Sequence, residues 1–222
     1  MMSMPQPGTG RGELRGKAEA ILAAAETAFL AAGFGAVSMD AVARRAGVSK
    51  ATVYAHFIRK EDLFGAVVAH LSERRFHGFS AEALDPRDIA PSLTTIASRF
   101  LDLILSPELI ALNRIIIGEV SRFPALGEVF WASGPEQTRV QIETFMRKAA
   151  AVGSLALSDA RLAAEQFIAL ARGEIHLRSL LRLDYPDAAA LDVAVANTVA
   201  TFLRAFGAAT RGRLTPSRGP DT

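Results

Sequence analysis

The 222-residue sequence predicts an all-α protein. Alanine and leucine are abundant, hydrophobic residues make up 50% of the chain, and strict alternation of apolar and polar residues is rare. The dipeptides Asn-Gly and Asp-Gly, which commonly mark β-hairpins, are absent. We therefore expect about nine or ten helices: a three-helix N-terminal domain with a helix-turn-helix, joined by a long fourth helix to a larger helical domain.

Composition excludes several classes of protein. The net charge is only +2, too small for non-specific nucleic-acid binding by the whole molecule. The absence of cysteine excludes disulfides and thiol catalysis and suits the cytoplasm. No run of about 18 apolar residues occurs, which argues against a membrane span. The N-terminal segment lacks the apolar core of a signal peptide, so residues 1–11 are expected to form a flexible arm.

The most informative stretch is VSMDAVARRAGVSKATVYAHFIRK, residues 37–60. Ser38 is a suitable N-cap for a helix that ends at Ala46, because Gly47 can adopt the left-handed conformation of a C-terminal cap. Ser49 can then cap a second short helix, Lys50 to Phe57. Two short helices joined by a glycine-containing turn form a helix-turn-helix, whose second helix enters the DNA major groove.

Charge in this stretch supports the same interpretation. Five basic residues and one acidic residue, Asp40, fall within 24 positions, and a local basic excess is typical of nucleic-acid binding. Val53 and Phe57 should pack inward, so that Ala51 faces outward with Thr52 and Tyr54 on the flanks. The predicted DNA-contacting residues are Arg15, Ser38, Arg45, Ser49, Lys50, Ala51, Thr52, Tyr54, His56 and Lys60.

Some of these residues have alternative explanations. Arg15 could solubilise the start of the first helix instead of contacting a phosphate. Tyr54 could be a surface tyrosine that closes the small core, and His56 could cap its helix. Lys50 is placed for a guanine edge or a phosphate, and Lys60 for a phosphate.

The segment TVYAHFIRKEDLF, Thr52 to Phe64, together with the preceding AVARRAGVSKA, closely resembles the DNA-binding domain of the TetR family of bacterial regulators. The resemblance implies that the helix-turn-helix domain, residues 12–58, binds DNA. It also implies that the fourth helix, residues 59–80, is the element that moves, and it favours a phosphate contact for Arg15.

Residues 59–210 are predicted to form the effector-binding and dimerisation domain, followed by a disordered tail at 211–222. Its helices are expected at about 88–105, 107–122, 124–132, 135–152, 159–183 and 187–209, while the first helix of the chain should span about 12–32. Segments around EVSRFPALGEVFWASGP and LARGEIHLRSLL resemble the C-terminal domain of the AefR-like branch of the TetR family.

This larger domain is more apolar than amphipathic helices require, and two causes compete. One is a pocket for a small apolar effector, for which the candidates are Phe100, Leu103, Ile104, Asn113, Ile117, Arg122, Phe130, Trp131, Phe145, Phe167, Arg172 and His176. For each apolar candidate, core packing is the main alternative. For the polar ones it is an internal ion pair, such as Arg172 or Arg114 with Glu119.

The other cause is a subunit interface. The last two long helices carry apolar seams that could form a four-helix bundle with a second copy, as in the dimers of the family. The predicted interface residues are Leu170, Leu177, Leu181, Leu191, Val195, Val199, Phe202 and Phe206. A dimer would place two recognition helices about 34 Å apart, one turn of DNA.

The sequence thus predicts a dimeric TetR-type regulator, a repressor that binds a palindromic operator and is released by a small apolar effector. The alternatives are a DNA-binding dimer that needs no effector or answers to a protein partner, and a helical small-molecule enzyme. The sequence holds no metal-spaced histidine pair, phosphate loop or catalytic triad signature. We therefore expect no cofactor, no metal and no catalytic residue.

Overall fold

The computed structural model describes residues 9–76 and 83–208, with side chains over 16–74 and 83–208. This part of the chain is helical, and its only extended pairing is an isolated antiparallel bridge between Leu155 and Gly207. The all-α prediction is confirmed. The helices are α1 (Thr9–Ala36), α2 (Met39–Ala46), α3 (Lys50–His56), α4 (Lys60–Phe76), α5 (Ile89–Ile104), α6 (Pro107–Glu119), α7 (Pro124–Ser133), α8 (Pro135–Ala151), α9 (Ala160–Arg172), α10 (Ile175–Leu180) and α11 (Ala188–Phe206).

Most helix boundaries agree with the predictions to within a few residues. The first helix was expected to end before Gly33. Its regular geometry does break there (φ 78°, ψ 174°), but the helix resumes and continues to Ala36. It also begins at Thr9, inside the predicted arm. The predicted end of the fourth helix at Ser80 and the predicted tail at 211–222 lie outside the described residues.

The single helix predicted for residues 159–183 was wrong. Gly173 (φ 45°, ψ −151°) leaves helical geometry and separates α9 from α10. A positive φ at this position suits glycine, because a residue with a Cβ would be strained there. The break separates the exposed leucines of α10 from the regular face of α9.

The chain forms two compact units: residues up to 73 with 107–135, and residues 74–106 with those from 136 onward. Unit 1 therefore contains α1, α2, α3, most of α4, α6 and α7. Its core includes three phenylalanine rings, with centroids 5.2 Å apart for Phe29 and Phe64 and 5.6 Å apart for Phe34 and Phe64. Edge-to-face packing of this kind holds α1 against α4.

Unit 2 contains α5, α8, α9, α10 and α11. Phe145, Phe167 and Phe202 are fully buried in it, and the rings of Phe167 and Phe202 meet edge to face at 5.1 Å. Arg139, almost fully buried on α8, donates to Glu136 at 2.6 Å and to Glu143. Its charge is therefore compensated within the helix.

Two described helices, the Gly16–Ala36 part of α1 and α11, are long and apolar enough to pass a composition test for membrane spans, each with mean hydropathy 1.3. Core helices of other folds pass the same test, so this finding is weak support for a span.

Candidate nucleic-acid interface

The helix-turn-helix is fixed by two serine caps and one glycine. Ser38 Oγ accepts a hydrogen bond from Ala41 N at 3.2 Å, and Ser49 Oγ accepts one from Thr52 N at 3.1 Å. Gly47 (φ 66°, ψ 29°) ends α2 in the left-handed conformation and donates to the carbonyls of Ala43 and Arg44. Both predicted N-caps and the predicted C-cap are confirmed. These caps determine the angle at which α3 leaves the turn.

The orientation of α3 agrees with the prediction. Val53 is completely buried, while Ala51, Tyr54 and Ala55 are exposed and Thr52 and His56 are half-buried. Small exposed residues allow a helix to approach base edges closely, and an alanine or threonine methyl can contact a thymine methyl. Arg44 and Arg45 at the end of α2 are also exposed. The contacts predicted for Arg15 cannot be assessed, since its side chain lies outside the described part of α1.

Lys50, the first residue of α3, forms an ion pair across the turn with Asp40 of α2. Its Nζ lies 2.9 Å from Asp40 Oδ1 and 3.0 Å from Oδ2, and 5.8 Å from the centroid of the Tyr54 ring. The Asp40 carboxylate raises the pKa of Lys50. In the sequence Asp40 is only an acidic residue in a basic stretch, and nothing there predicts that it pairs with Lys50 ten residues later.

Lys60 does not present its charge as a phosphate contact would require, so this prediction is corrected. Its Nζ donates to the carbonyl oxygens of Phe34 at 2.7 Å and Val37 at 2.8 Å. The same atom lies 4.3 Å from the centroid of the Phe34 ring. Burial lowers the pKa of Lys60. Carbonyls at the end of α1 need donors, and Lys60 supplies them.

Glu119 at the end of α6 completes this arrangement within unit 1. Its two carboxylate oxygens accept from Gly35 N at 2.9 and 3.1 Å, and a Cβ on Gly35 would lie 2.8 Å from Glu119 Oε2. The ring of Phe123 meets that of Phe34 edge to face at 5.2 Å. We call Phe34, Gly35, Lys60, Glu119 and Phe123 the α1-end cluster. The sequence indicates Glu119 only as the partner in an internal ion pair and does not predict its contact with Gly35.

The predicted effector-pocket residues fall in different surroundings. In unit 2, Phe100, Leu103, Phe145 and Phe167 are buried in the core and Ile104 is half-buried, as in the core-packing alternative. In unit 1, Phe130 is half-buried, and Ile117 on α6 and Trp131 on α7 are 64% and 56% exposed. Asn113 Nδ2 donates to the Leu109 carbonyl at 2.8 Å, and the Arg122 guanidinium lies 5.1 Å from the Phe123 ring.

Two polar candidates of unit 2, the exposed Arg172 and the half-buried His176, have lowered pKa values. Burial lowers the pKa of Arg172, and burial together with the nearby Arg172 charge lowers the pKa of His176 to about 4. Burial is the only cause of the lowered pKa of Arg172, with no contribution from a neighbouring charge. Glu119, suggested as the partner in an internal ion pair, accepts hydrogen bonds from the Gly35 amide.

Some of the residues predicted to form a subunit interface reach the surface, and others do not. Leu170, Leu177 and Leu181 are exposed, and Leu191 and Phe206 are half-buried. Val195, Val199 and Phe202 are instead buried within the subunit, where Phe202 packs against Phe167 and, at 4.8 Å, against Phe206. The inward seam of α11 is thus occupied by its own chain. Val193 is the large apolar residue that α11 exposes.

Over residues 9–76 and 83–208, no group of three His, Asp or Glu side chains is placed to hold a metal ion.

Comparison with known proteins agrees with this geometry. Residues 21–67 match the model of the tetR family of bacterial regulatory proteins, and residues 91–208 match the AefR-like transcriptional repressor C-terminal domain. Comparison with curated proteins gives no match.

Among solved structures, the flavonoid-responsive regulator FrrA is 34% identical, with a TM-score of 0.71; 86% of this chain and 97% of that one are covered. A TetR-family regulator from Mesorhizobium loti is 27% identical over 90% of this chain and 100% of its own, with a TM-score of 0.74. A TetR regulator from Agrobacterium tumefaciens is 26% identical over 87% and 96%, with a TM-score of 0.71. The chain therefore belongs to the TetR family of DNA-binding transcriptional regulators, which are not enzymes, and has an AefR-like C-terminal domain.

Proposed function

We propose that this protein is a cytoplasmic repressor that binds a palindromic operator as a homodimer and is released by a small, largely apolar effector. The observation that carries the proposal is the exposed face of α3, held by the Ser38, Gly47 and Ser49 caps in the helix-turn-helix of a TetR-family chain. Two copies of this face, about one helical turn of DNA apart, would read the two halves of a palindrome.

The operator contacts are assigned by position. Lys50 reaches base edges at the start of α3, and Ala51 and Thr52 contact thymine methyls. Tyr54 and Arg45 contact phosphates, as do the turns capped by Ser38 and Ser49. Among the proposed DNA-contacting residues of α3, His56 is half-buried and lies at the C-terminal end of the helix. Lys60 is left out of this set, because its ammonium is engaged by carbonyls.

The proposed dimer uses the apolar surface that unit 2 leaves exposed. Leu177 and Leu181 of the α10 segment are 57% and 60% exposed, and Leu162, Leu170 and Val193 are also exposed on α9 and α11. Large exposed apolar side chains are typical of protein interfaces when they lie together on a surface. Leu177→Glu should give folded monomers with weak operator binding, whereas Phe202→Glu should fail to fold. A Leu177→Glu variant that still sediments as a dimer would refute this interface.

The proposed effector is an aromatic polyphenol of the flavonoid class. The relative FrrA is described as flavonoid-responsive. Ile117 and Trp131, both exposed in unit 1, offer apolar surface to an aromatic ring system.

Coupling to DNA would run through the α1-end cluster. Ile117 lies two residues before Glu119 on α6, and Glu119 holds the Gly35 amide at the end of α1. An effector that moves α6 would therefore move α1 and the helix-turn-helix packed on it. By linkage, it can release DNA only if it prefers a conformation whose recognition helices are wrongly spaced.

The test is fluorescence anisotropy on DNA upstream of the protein's own gene, with a scrambled duplex as control, at several salt concentrations and with a panel of flavones and flavanones. Nanomolar binding that exceeds binding to scrambled DNA, and is lost with a flavonoid, is expected. Specific binding that no flavonoid releases would refute the effector class and favour the effector-independent dimer. Equal, weak binding to every genomic fragment tested would refute the operator function.

A further inference from the structure

The ion pair between Asp40 and Lys50 is unusual for a surface that meets DNA. Asp40 is the only acidic residue between Val37 and Lys60, and it lies in the first turn of α2, opposite the start of α3. The side chains of Lys50 and Asp40 are 60% and 49% exposed. An exposed ion pair adds little to stability. A carboxylate in the first turn of α2 also interacts favourably with the helix dipole, but that effect does not require Lys50 as its partner.

The pair presents one donor and one acceptor side by side. Its N···O separations are 2.9 and 3.0 Å. In the major groove, a G·C base pair presents the guanine O6 acceptor next to the cytosine N4 donor, and these two atoms are hydrogen-bonded to each other at about 2.9 Å. Lys50 Nζ beside O6 and Asp40 Oδ beside N4 therefore match in spacing and in polarity. An A·T or C·G pair in the same orientation presents these groups in the reverse order, and a T·A pair places the thymine methyl group beside its acceptor.

We propose that Asp40 is a specificity-determining residue: with Lys50 it reads one G·C pair in each operator half-site, and it keeps Lys50 from binding phosphates elsewhere. On non-specific DNA the pair contributes no net charge, and its carboxylate repels the phosphates. On the operator both groups keep a partner. The proposal rests on the assignment of this face to the operator.

The first arm measures base preference. In a set of operator duplexes, each G·C pair of the half-site is replaced in turn by A·T, and the affinities of wild type, Asp40→Asn and Lys50→Met are compared. Wild type should lose about tenfold or more at one G·C position. Both variants should lose less than about threefold at that position and keep the wild-type penalties at the others.

The second arm uses a scrambled duplex of the same length. Asp40→Asn should bind it about fivefold more tightly than wild type, with a salt slope steeper by about one unit, because Lys50 becomes free to contact a phosphate. Lys50→Met should bind it no more tightly than wild type, because it leaves the Asp40 carboxylate without its cation. The matched control is Glu165→Gln, which makes the same change of charge in an exposed pair with Arg161 in unit 2. This control should change neither the affinity for the operator nor the affinity for the scrambled duplex.

Three results would overturn the proposal: an unchanged base profile in Asp40→Asn, equal tightening by Glu165→Gln, or the same tightening by Asp40→Asn in a Lys50→Met background. Thermal unfolding checks that the variants fold, and Asp40→Ser provides a second substitution. Asp40→Glu, which keeps the carboxylate, should restore the low affinity for scrambled DNA. If wild type binds no DNA fragment specifically, the proposed function is refuted and this inference is refuted with it, whereas specific binding with an unchanged Asp40→Asn base profile refutes this inference alone.

Discussion

Lys50 and Lys60 are ten residues apart, each at the first position of a helix, yet their ammonium groups lie in opposite surroundings. Lys50 is exposed and faces one carboxylate, that of Asp40. Lys60 is half-buried, donates to two backbone carbonyls and lies over the Phe34 ring. The first lysine can exchange its partner for a ligand. The second cannot leave its acceptors without exposing unpaired carbonyls at the end of α1.

The difference separates two tasks within unit 1. The exposed Asp40–Lys50 pair serves recognition, because water or DNA can replace either partner with little loss of free energy. The α1-end cluster joins α1, α4 and α6 through hydrogen bonds between partly buried groups, and breaking one of them destabilises the fold. Substitutions at the two lysines should therefore act on different measurements.

The largest expected effect is on stability, at Lys60. Lys60→Met removes the donor to the Phe34 and Val37 carbonyls, and we expect it to lower the free energy of unfolding by about 2 to 3 kcal/mol. Urea denaturation at fixed protein concentration measures this. Lys50→Met is the matched control and should leave the urea midpoint unchanged. Equal midpoints for both variants would contradict the comparison.

His176 tests how the burial of a titratable side chain makes the stability of the protein depend on pH. Its pKa is lowered to about 4, by burial first and by Arg172 second, so the folded protein keeps the ring neutral where the unfolded chain protonates it. Stability should therefore fall as pH drops from about 6.5 to about 4. Allowing for partial solvent screening, the contribution is roughly 2 kcal/mol.

His176→Gln should flatten this part of the stability profile, measured by urea denaturation at several pH values. At pH 8 the two proteins should differ only through packing, since both carry a neutral side chain there. If His176→Gln loses as much stability as wild type between pH 6.5 and 4, a different titratable group causes the loss of stability in acid.

Gly35 tests the contact between α1 and α6. A Cβ at Gly35 would lie 2.8 Å from Glu119 Oε2 and 3.4 Å from the Phe123 ring, so Gly35→Ala should displace the carboxylate and cost about 1 to 2 kcal/mol of stability. Gly118→Ala is the control: no atom lies within 4 Å of its added Cβ, and in a helix it should stabilise by about 0.5 to 1 kcal/mol. Thermal unfolding distinguishes the two signs.

If the α1-end cluster couples effector to DNA, Gly35→Ala should also weaken effector-induced release while retaining operator binding. Anisotropy with a flavonoid titration measures both. Full release by the usual effector concentration would remove the cluster from the coupling path and leave it a structural contact.

Local rules predicted the helix-turn-helix well. The Ser38, Gly47 and Ser49 caps and the inward Val53 follow from short-range chemistry, and the structure has them as expected. The sequence could not assign partners across long separations. Glu119 meets Gly35 at a separation of 84 residues, and nothing in either neighbourhood predicts the other.

Helical periodicity also left open which side each apolar seam would face. On α11, Val195, Val199 and Phe202 have the spacing of an interface, but they form the core of their own subunit. The α9–α10 break depends on the backbone conformation of Gly173, which one glycine in a helical pattern does not determine. Lys60 likewise has the charge that a phosphate contact needs, but in the structure its ammonium group donates to the carbonyls at the end of α1.

The smallest expected effect is at Tyr54. Tyr54 is exposed and its ring lies 5.8 Å from Lys50 Nζ, so Tyr54→Phe keeps the ring beside the ammonium and removes only the hydroxyl. If that hydroxyl donates to an operator phosphate, affinity should fall about threefold to tenfold with stability unchanged. The matched control is Tyr185→Phe, the other tyrosine of the chain, which lies in unit 2 and should leave the operator affinity as it is. If Tyr54→Phe loses affinity for the operator only, the hydroxyl takes part in sequence-specific recognition. If it loses affinity equally for scrambled DNA, the hydroxyl contacts a phosphate. Unchanged affinity for both duplexes would mean that the Tyr54 hydroxyl does not contact DNA and that the ring only packs beside Lys50. The Asp40–Lys50 pair would then be the part of this face whose hydrogen-bond partners change when DNA binds.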